Sequence, residues 1–345
     1  MESFYVLKKS DLDRFIRQLS RSRKVVAPVS RGVKNFVFAE VTSAAQISIQ
    51  SIPTILPPKK YFMPQCEKIQ EFNREIHQWN PVVEANGEVV LFGVHTCDLA
   101  GIQFLNTVMD VVPRDVNYAV HKQKIVVIGL ECNDYCDEYA SCRVMKNHLP
   151  NGGYDLFLTE LKDVFMVHGG SAAGEKIVKE AGIFLKPDAA HKKELEDIRK
   201  KKEMIFKDEV NVKREDLRGV FERSVQSDVW ENLGGRCVAC GNCTNVCPTC
   251  YCFDIKDELD LNLKTGCRTR IWDSCQNEEF AKVAGGESFR HNRGQRQRHR
   301  FMRKFTYPVG KFSVYACTGC GRCSRTCMAK INLKETINEL AGAVK

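Results

Sequence analysis

The sequence predicts an α+β protein with two parts, a mixed α/β domain over residues 1–228 and a smaller cysteine-rich domain over residues 229–345. Three observations support this division. The chain has 345 residues, enough for one large or two ordinary domains, and 43% of them are hydrophobic, enough for a buried core. Helix and strand patterns alternate in the first half, whereas cysteine and glycine dominate after Trp230. We therefore place the boundary near residue 228.

The first domain begins with a helical pattern and continues with short apolar runs. Ser10 is a candidate cap for a helix over residues 11–20, because Leu12, Phe15, Ile16 and Leu19 fall on one face. Runs typical of strands follow at 24–28, 35–41, 89–94 and 125–130, and one or two more lie within 154–168. The runs at 89–94 and 125–130 are almost wholly apolar, which predicts strands covered on both faces.

A charged helical segment connects the two domains. Residues from about 174 to 228 are rich in lysine and glutamate, and the stretch KKELEDIRKKKEMIFKDEV predicts an exposed linker helix. At the other end of the chain, NLKETINELAGAVK predicts a closing helix.

Two cysteine runs with the same spacing define the second domain. Each reads C-x2-C-x2-C-x3-C, a spacing that wraps three thiolates around one [4Fe–4S] cluster and sends the fourth to a neighbouring cluster. Structural zinc, the alternative, favours pairs of C-x2-C. We therefore predict a bacterial-type dicluster ferredoxin-like domain with a long insertion between the runs, in which Met328 stands where a second proline is usual. The first cluster takes Cys237, Cys240, Cys243 and Cys327, and the second takes Cys317, Cys320, Cys323 and Cys247.

Nine further cysteines fall outside these runs and have no regular spacing; four follow the buried strands of the first domain, and five lie elsewhere. Cys250, Cys252, Cys267 and Cys275 lie in the insertion, where they are either small buried hydrophobes or part of a further metal or redox site. Cys66 has no cysteine neighbour in the sequence, and we assign it a structural role.

Four N-terminal cysteines follow the two buried strands. Cys97 comes after residues 89–94, and Cys132, Cys136 and Cys142 come after residues 125–130. Sites in open α/β sheets gather beyond the carboxyl ends of strands, so these thiols are candidates for a third [4Fe–4S] cluster. A zinc site and plain core cysteines remain alternatives. His95 is close by, and we expect it to pack rather than to bind metal.

The positive charge is concentrated in one stretch. The net charge is +9, and residues 290–311 carry much of it. This stretch is a solvated surface, a docking face for an acidic partner or cofactor phosphate, or a set of cations that balances the negative charge of the clusters. We favour the last interpretation. No motif supports nucleic-acid binding.

Several longer motifs indicate a family. They include FMPQCEKIQEFN, VHTCDLAGI, IGLECNDYCDEYASC, CVACGNCTNVCPTCYCFD and RIWDSCQNEEFAKVAGGESFR, which together span most of the chain. The sequence resembles the iron–sulfur A subunit of anaerobic sulfite reductase and the beta subunit of cytoplasmic hydrogenases (sulfhydrogenases), including related electron-transfer subunits associated with heterodisulfide reductase.

The resemblance implies an electron-transfer subunit of a cytoplasmic complex. Its expected partners are a flavin-containing, NAD(P)H-oxidising subunit and a catalytic reductase or hydrogenase subunit. It also implies that Cys97, Cys132 and Cys142 bind an N-terminal cluster; Arg143 departs from the family pattern and leaves the fourth ligand, Cys136 among the candidates, open. The alternative is a subunit that itself reduces a sulfur compound, at the N-terminal cluster or at the extra cysteines.

Some functions have no sequence support. No G-x-G-x-x-G fingerprint follows a strand, so we expect no nicotinamide pocket. The charged N-terminus predicts no secretory signal, and the longest apolar runs are too short to cross a bilayer.

Overall fold

A computed structural model describes residues 3–50, 52–83, 87–205 and 210–344. Within these ranges the chain forms eleven strands, at β1 Ser3–Lys8, β2 Lys24–Ser30, β3 Phe36–Glu40, β4 Cys66–Asn73, β5 Gln78–Pro81, β6 Val89–Val94, β7 Ile125–Leu130, β8 Leu156–Glu160, β9 Val164–Gly169, β10 Phe253–Leu259 and β11 Thr265–Trp272.

The same ranges contain thirteen α-helices, at α1 Leu12–Ser20, α2 Lys59–Phe62, α3 Thr96–Met109, α4 Val116–Gln123, α5 Ala172–Ala181, α6 Ala189–Ile205, α7 Leu217–Arg223, α8 Val229–Arg236, α9 Asn242–Asn245, α10 Arg293–Phe305, α11 Tyr307–Phe312, α12 Arg322–Arg325 and α13 Leu333–Ala343. None of these described helices is long and apolar enough to cross a membrane.

A mixed sheet forms the centre of the N-terminal part. Seven strands of the described chain are arranged in the order β1-β9-β8-β7-β6-β2-β3. The neighbours β2, β6, β7 and β8 run parallel, and the outer strands run antiparallel. Every residue of β6 is buried, because apolar clusters cover both faces of the sheet. The prediction of two doubly covered strands is confirmed, with both bounds as expected.

Other local predictions were less accurate. The first helix begins at Leu12, and Ser10 lies in the preceding 3-10 turn, so Ser10 does not cap it. The sequence analysis also did not predict β1, β4, β5, β10 or β11. Strand β5 has four exposed residues and β4 is mostly half-buried, so neither carries the apolar alternation that marks a strand in a sequence.

A second sheet joins residues from both predicted domains. Four strands of the described residues follow the order β10-β11-β4-β5, so the hairpin from the cysteine-rich part pairs with a hairpin from the first part. An apolar cluster around Phe221, Trp230, Phe301 and Phe305 likewise includes residues on both sides of position 228. The division at 228/229 stays a prediction. The second sheet and this apolar cluster both contain residues from each side of it.

The charged segment after β9 folds as separate helices. Helix α5 packs on the first sheet through Ile177 and Val178, whereas Lys202 near the end of α6 is fully buried. Residues 206–209 of the predicted linker helix lie outside the described residues. Helix α6 is therefore anchored at its end rather than exposed along its whole length.

A buried ionic cluster fixes the second sheet to the first part of the chain. Arg270 on β11 contacts Glu67 on β4 at 2.5 Å and also pairs with Asp115, the residue that caps α4. His121 on α4 contacts Glu67 at 2.7 Å. Burial alone would raise the pKa of Glu67, but hydrogen bonds with His121 and Arg270 hold it below its usual value.

We expect Arg270→Met to destabilise the protein by about 3 kcal/mol, because it leaves the carboxylates of Glu67 and Asp115 without the positive charge that they pair with. The midpoint of chemical unfolding, followed anaerobically by the fluorescence of the neighbouring Trp272, measures this change. Arg268→Met is the matched control, because Arg268 on the same strand pairs with Asp257 at the surface. We expect a change below about 1 kcal/mol for it; equal effects of the two substitutions would contradict the prediction.

Candidate metal centres

The first pocket gathers thiols from both cysteine runs. Cys237, Cys240, Cys243 and Cys327 all line it, Cys323 borders it as well, and it has about 450 Å³ of space not occupied by protein atoms, open solvent included. The loop of the first run wraps one side, where Gly241 at φ +76° precedes the short helix α9. Cys327 reaches the pocket from the end of α12. These four are the thiols that the spacing assigned to the first cluster.

The second pocket mirrors the first. Cys317, Cys320, Cys323 and Cys247 line it, and its space not occupied by protein atoms is about 410 Å³. Here Cys247 comes from the first run, as the exchanged thiolate of a dicluster arrangement does. Both pockets therefore offer at least four soft thiolate ligands, a donor set that suits an iron–sulfur cluster.

Hydrogen-bond donors surround the sulfur atoms. The side-chain amide of Gln297 donates to Cys237 Sγ at 3.0 Å, and the backbone amide of Ala239 donates to the same atom at 3.4 Å. The amide of Ile331 donates to Cys327 Sγ at 3.3 Å. Such donors stabilise the more negative, reduced state of a cluster and so raise its reduction potential.

Burial opposes the ionisation of three of these thiols. Burial raises the pKa of Cys243 to about 12, and it also raises the pKa of Cys317 and Cys320. A thiolate at these positions therefore depends on a bound metal or a nearby cation, so ligand deprotonation and metal binding are coupled.

Helix α10 supplies that positive charge from inside the protein. Arg300 lines both pockets, and Lys304 lines the second. Both side chains are buried, and Lys304 donates to Thr249 Oγ1 at 2.7 Å. Burial opposes the charge on Arg300, but the thiols of Cys243, Cys323 and Cys247 outweigh it and raise the pKa. The buried part of the basic stretch thus faces the cysteines, and only its outer residues remain for a docking face.

The second cysteine loop is pressed against the loop that carries the N-terminal cysteines. Gly319 has φ +75°, and a Cβ there would lie 2.5 Å from the backbone of Cys142. The amide of Ser141 donates to the carbonyl of Gly319 at 2.8 Å. Only glycine allows this approach, because any side chain would meet backbone atoms that cannot rotate away.

Gly319→Ala is expected to separate the two loops and to destabilise the protein by at least about 1–2 kcal/mol, the usual cost of a left-handed alanine. The thermal midpoint measures the stability, and electron paramagnetic resonance of the reduced protein measures the disturbance at the second pocket. In Gly286→Ala, the control, φ is +81° but nothing lies within 4 Å of the added Cβ. An unchanged resonance spectrum in Gly319→Ala would contradict the prediction.

The N-terminal cysteines meet near the carboxyl ends of β6 and β7. Cys97 lies in the first turn of α3, and the neighbouring thiol of Cys132 is the largest cause that raises the pKa of Cys136. Burial raises the pKa of Cys97, and neighbouring Asp98, Cys320 and Cys132 raise it further. Burial also raises the pKa of Cys142 to about 12, with Cys136 and Cys320 contributing. The thiols of this group therefore lie close together and close to the second pocket.

These four thiols do not all line one pocket. Cys132 and Cys136 line a cavity with about 860 Å³ of space not occupied by protein atoms, whereas Cys97 and Cys142 are not part of its lining. His95 also lines this cavity, and burial lowers its pKa, so the ring is neutral near pH 7. Glu131 closes one side and is paired with the buried Lys202 at 3.3 Å.

A buried ion pair joins this region to the second cysteine run. Arg322, between Cys320 and Cys323, makes two contacts with the carboxylate of Asp98, at 2.5 and 2.7 Å. It also donates to the carbonyl of Thr54 at 2.6 Å. Because Asp98 directly follows Cys97, this bidentate pair fixes the relative position of the N-terminal thiols and the second pocket.

Three of the extra cysteines share a pocket of their own. Cys250, Cys252 and Cys275 line a space of about 340 Å³ together with Arg300, Arg303 and Lys304. Interaction with the thiol of Cys247 is the largest cause that raises the pKa of Cys250, and interaction with the thiol of Cys275 is the largest cause that raises the pKa of Cys252. Interaction with the thiol of Cys252 is the largest cause that lowers the pKa of Cys275, to about 6.

The other two extra cysteines lie on the second sheet. Cys66 is exposed at the start of β4, and Cys267 is half-buried on β11. Neither lines one of the cysteine pockets described above.

Sequence reasoning missed the polar residues around the thiols. It noted the basic stretch but did not select Arg300 and Lys304, although their spacing with Arg296 places all three on one helix face. It gave no indication of Gln297, Asp98 or Arg322 beside the cysteines. Their partners are distant in the sequence, so only the fold brings them together.

The fold and the two cysteine-lined pockets define the chain as an iron–sulfur protein of the dicluster class. The family model described as a 4Fe-4S dicluster domain matches residues 236–331, which contain both cysteine runs. No solved structure matches the chain significantly.

A relative extends the similarity to nearly the whole chain. The chain is 35% identical over 332 residues to sulfhydrogenase 2 subunit beta of Pyrococcus furiosus, covering 94% of this chain and 95% of that protein. The chain therefore belongs to the sulfhydrogenase beta-subunit family, and the sequence-based assignment to it is confirmed.

Proposed function

We propose that the protein is the electron-transfer iron–sulfur subunit of a multisubunit oxidoreductase. The main observation behind this proposal is the pair of adjacent cysteine-lined pockets, each of which combines cysteines from both runs. A bound [4Fe–4S] cluster supplies one-electron chemistry, while the protein sets the spacing and tunes the potential. The fit is good, because amide donors and buried cations already surround the sulfur atoms.

The ligand assignment follows the pockets. The first cluster is held by Cys237, Cys240, Cys243 and Cys327, and the second is held by Cys317, Cys320, Cys323 and Cys247. Cys323 and Arg300 line both pockets, which supports a short path between the two clusters.

A third cluster in the N-terminal part is also part of the proposal. Cys97, Cys132, Cys136 and Cys142 are its ligands, and the electrostatic influence of Cys320 on Cys97 and Cys142 supports electron exchange with the second cluster. The loop contact at Gly319 supports the same path.

The proposed partners are a catalytic hydrogenase or reductase subunit and a flavin subunit linked to NAD(P)H. The relative described above is named a subunit beta, which implies other subunits in its complex. Membership of the same family supports an assembly of this chain with other chains. Purification of the native complex, with identification of each chain by mass spectrometry, tests this part.

Metal analysis tests the electron-transfer role directly. Protein purified without oxygen should be brown, contain about 8–12 iron atoms per chain with matching acid-labile sulfide, and bleach on reduction. A colourless, zinc-containing protein without labile sulfide would rule the proposed function out.

A second candidate function is reduction of a sulfur compound by this chain itself. The cavity beside Cys132 and Cys136 favours it, because its size could admit a small molecule next to an N-terminal cluster. Turnover of sulfite or a disulfide by the isolated chain with an artificial electron donor would support this candidate. Absence of turnover would leave electron transfer as the one proposed function.

A further inference from the structure

We infer that Cys252 and Cys275 form a redox-active dithiol–disulfide pair that exchanges electrons with the second cluster. The inference rests on the proposed function for its supply of electrons. It concerns a separate site, the pocket of about 340 Å³ that adjoins the second pocket. None of the eight cysteines assigned to the two C-terminal clusters lines this pocket.

The backbone brings the two cysteines together. Cys252 directly precedes β10, and Cys275 follows β11 by three residues. The antiparallel pairing of these strands continues beyond Phe253, since the amide of Asp273 donates to the carbonyl of Cys252 at 3.0 Å. Both thiols therefore lie at the same end of the hairpin and line one pocket, where each is the largest influence on the pKa of the other.

The pocket holds fewer thiols than a cluster needs. A [4Fe–4S] cluster in a ferredoxin-like domain is held by four thiolates. Among the described residues three cysteines line this pocket, and one of them, Cys250, is a neighbour of Cys247, a proposed ligand of the second cluster. The remaining pair, Cys252 and Cys275, therefore fits a dithiol better than another cluster.

Cys250 has a different partner. Its backbone amide donates to the carbonyl of Cys247, a proposed ligand of the second cluster, at 3.4 Å, and the thiol of Cys247 is the largest influence on its pKa. The buried ammonium of Lys59 donates to the carbonyl of Cys250 at 2.8 Å and holds this segment in place. Cys250 is therefore the contact between the dithiol pocket and the second cluster rather than a member of the pair.

Two buried cations connect the dithiol pocket with the clusters. Arg300 lines the first pocket, the second pocket and the dithiol pocket, and Lys304 lines the last two. Their positive charge stabilises a thiolate next to a reduced cluster, where two negative groups would otherwise repel each other. Arg303, which also lines the dithiol pocket, adds a third cation.

The electron balance closes within the chain. When the S–S bond between Cys252 and Cys275 breaks, the two sulfur atoms take up two electrons and two protons. Each of the two clusters carries one electron when reduced, so together they supply the two electrons for one disulfide. The protons come from solvent through the pocket. The pair thereby couples one-electron carriers to a two-electron thiol reaction.

The first test measures the thiols of the unaltered protein. The full chain with its clusters is poised anaerobically either oxidised or reduced by a viologen, then denatured in an alkylating agent and mapped by mass spectrometry. We expect Cys252 and Cys275 to be joined in the oxidised sample and both alkylated in the reduced one. Equal alkylation of both cysteines in the two samples would overturn the inference.

The second test counts electrons. A reductive titration of Cys252→Ser or Cys275→Ser should consume two electrons fewer per chain than the unaltered protein, with the same iron content and cluster absorption. Cys267→Ser, which removes a cysteine from the same hairpin, should consume the full number. Loss of iron in the first two variants would identify a metal site and would also overturn the inference.

The two proposals fail in different ways. If electron transfer by the clusters is wrong, no iron–sulfur absorption bleaches on reduction. If only the dithiol is wrong, the clusters bleach normally and the variants consume as many electrons as the unaltered protein.

Discussion

Cys247→Ser should damage the cluster of the other cysteine run. In the fold, Cys247 lines the pocket of Cys317, Cys320 and Cys323, so its loss removes one of four thiolates from the second cluster. We expect loss of up to about four iron atoms per chain, or a cluster with one iron fewer, while the first cluster remains. Iron analysis and electron paramagnetic resonance of the reduced protein measure the two outcomes.

Reference variants show which cluster is affected. The resonance spectrum of Cys247→Ser should match that of Cys320→Ser and differ from that of Cys240→Ser, because Cys240 lines the first pocket. Cys66→Ser, at an exposed position on β4, should keep the iron content of the unaltered protein. A match between Cys247→Ser and Cys240→Ser would refute the exchange of ligands between the runs.

Arg300→Met should lower the reduction potentials of both clusters. Arg300 lines both pockets, and its Nε has no hydrogen-bond partner among the described residues, so its charge acts mainly on the thiols. A unit charge at about 8 Å contributes about 2 kcal/mol at an effective dielectric constant of about 20. For a one-electron couple this corresponds to a decrease of about 90 mV. A potentiometric titration followed by optical absorption measures it.

Arg298→Met is the matched control for this charge. Arg298 lies on the same helix, but it donates to the carbonyl of Val225 at the surface and lines neither cluster pocket. Solvent screens such a charge, so we expect a much smaller change in potential. Similar decreases in the two variants would show that the overall charge of the protein, rather than the position of Arg300, sets the potentials.

The regular spacing of the cysteines was the most informative part of the sequence. Two identical C-x2-C-x2-C-x3-C runs predicted which four thiols would share each pocket, and the fold brings those sets together. The spacing is informative because three ligands within seven residues leave a loop few ways to surround a cluster. The buried strands β6 and β7 were predictable for a similar local reason, since each is a continuous apolar run between polar residues.

The irregular cysteines could not be interpreted in the same way. Cys252 and Cys275 are 23 positions apart and have no common spacing motif, so only the β10–β11 hairpin brings them into contact. The same applies to Cys97 and Cys320, which approach because Asp98 and Arg322 form a buried pair across the two parts of the chain.

The sequence by itself therefore determined the class of cofactor, the paired cysteine sets and the two central strands, because each depends on residues close together along the chain. Only the tertiary structure decided that Arg300 and Lys304 face the thiols, that Gly319 presses against Cys142, and that a third cysteine pocket adjoins the second. These features depend on the packing of α10 and of two distant loops, and long-range packing of this kind leaves no periodic signal in a single sequence.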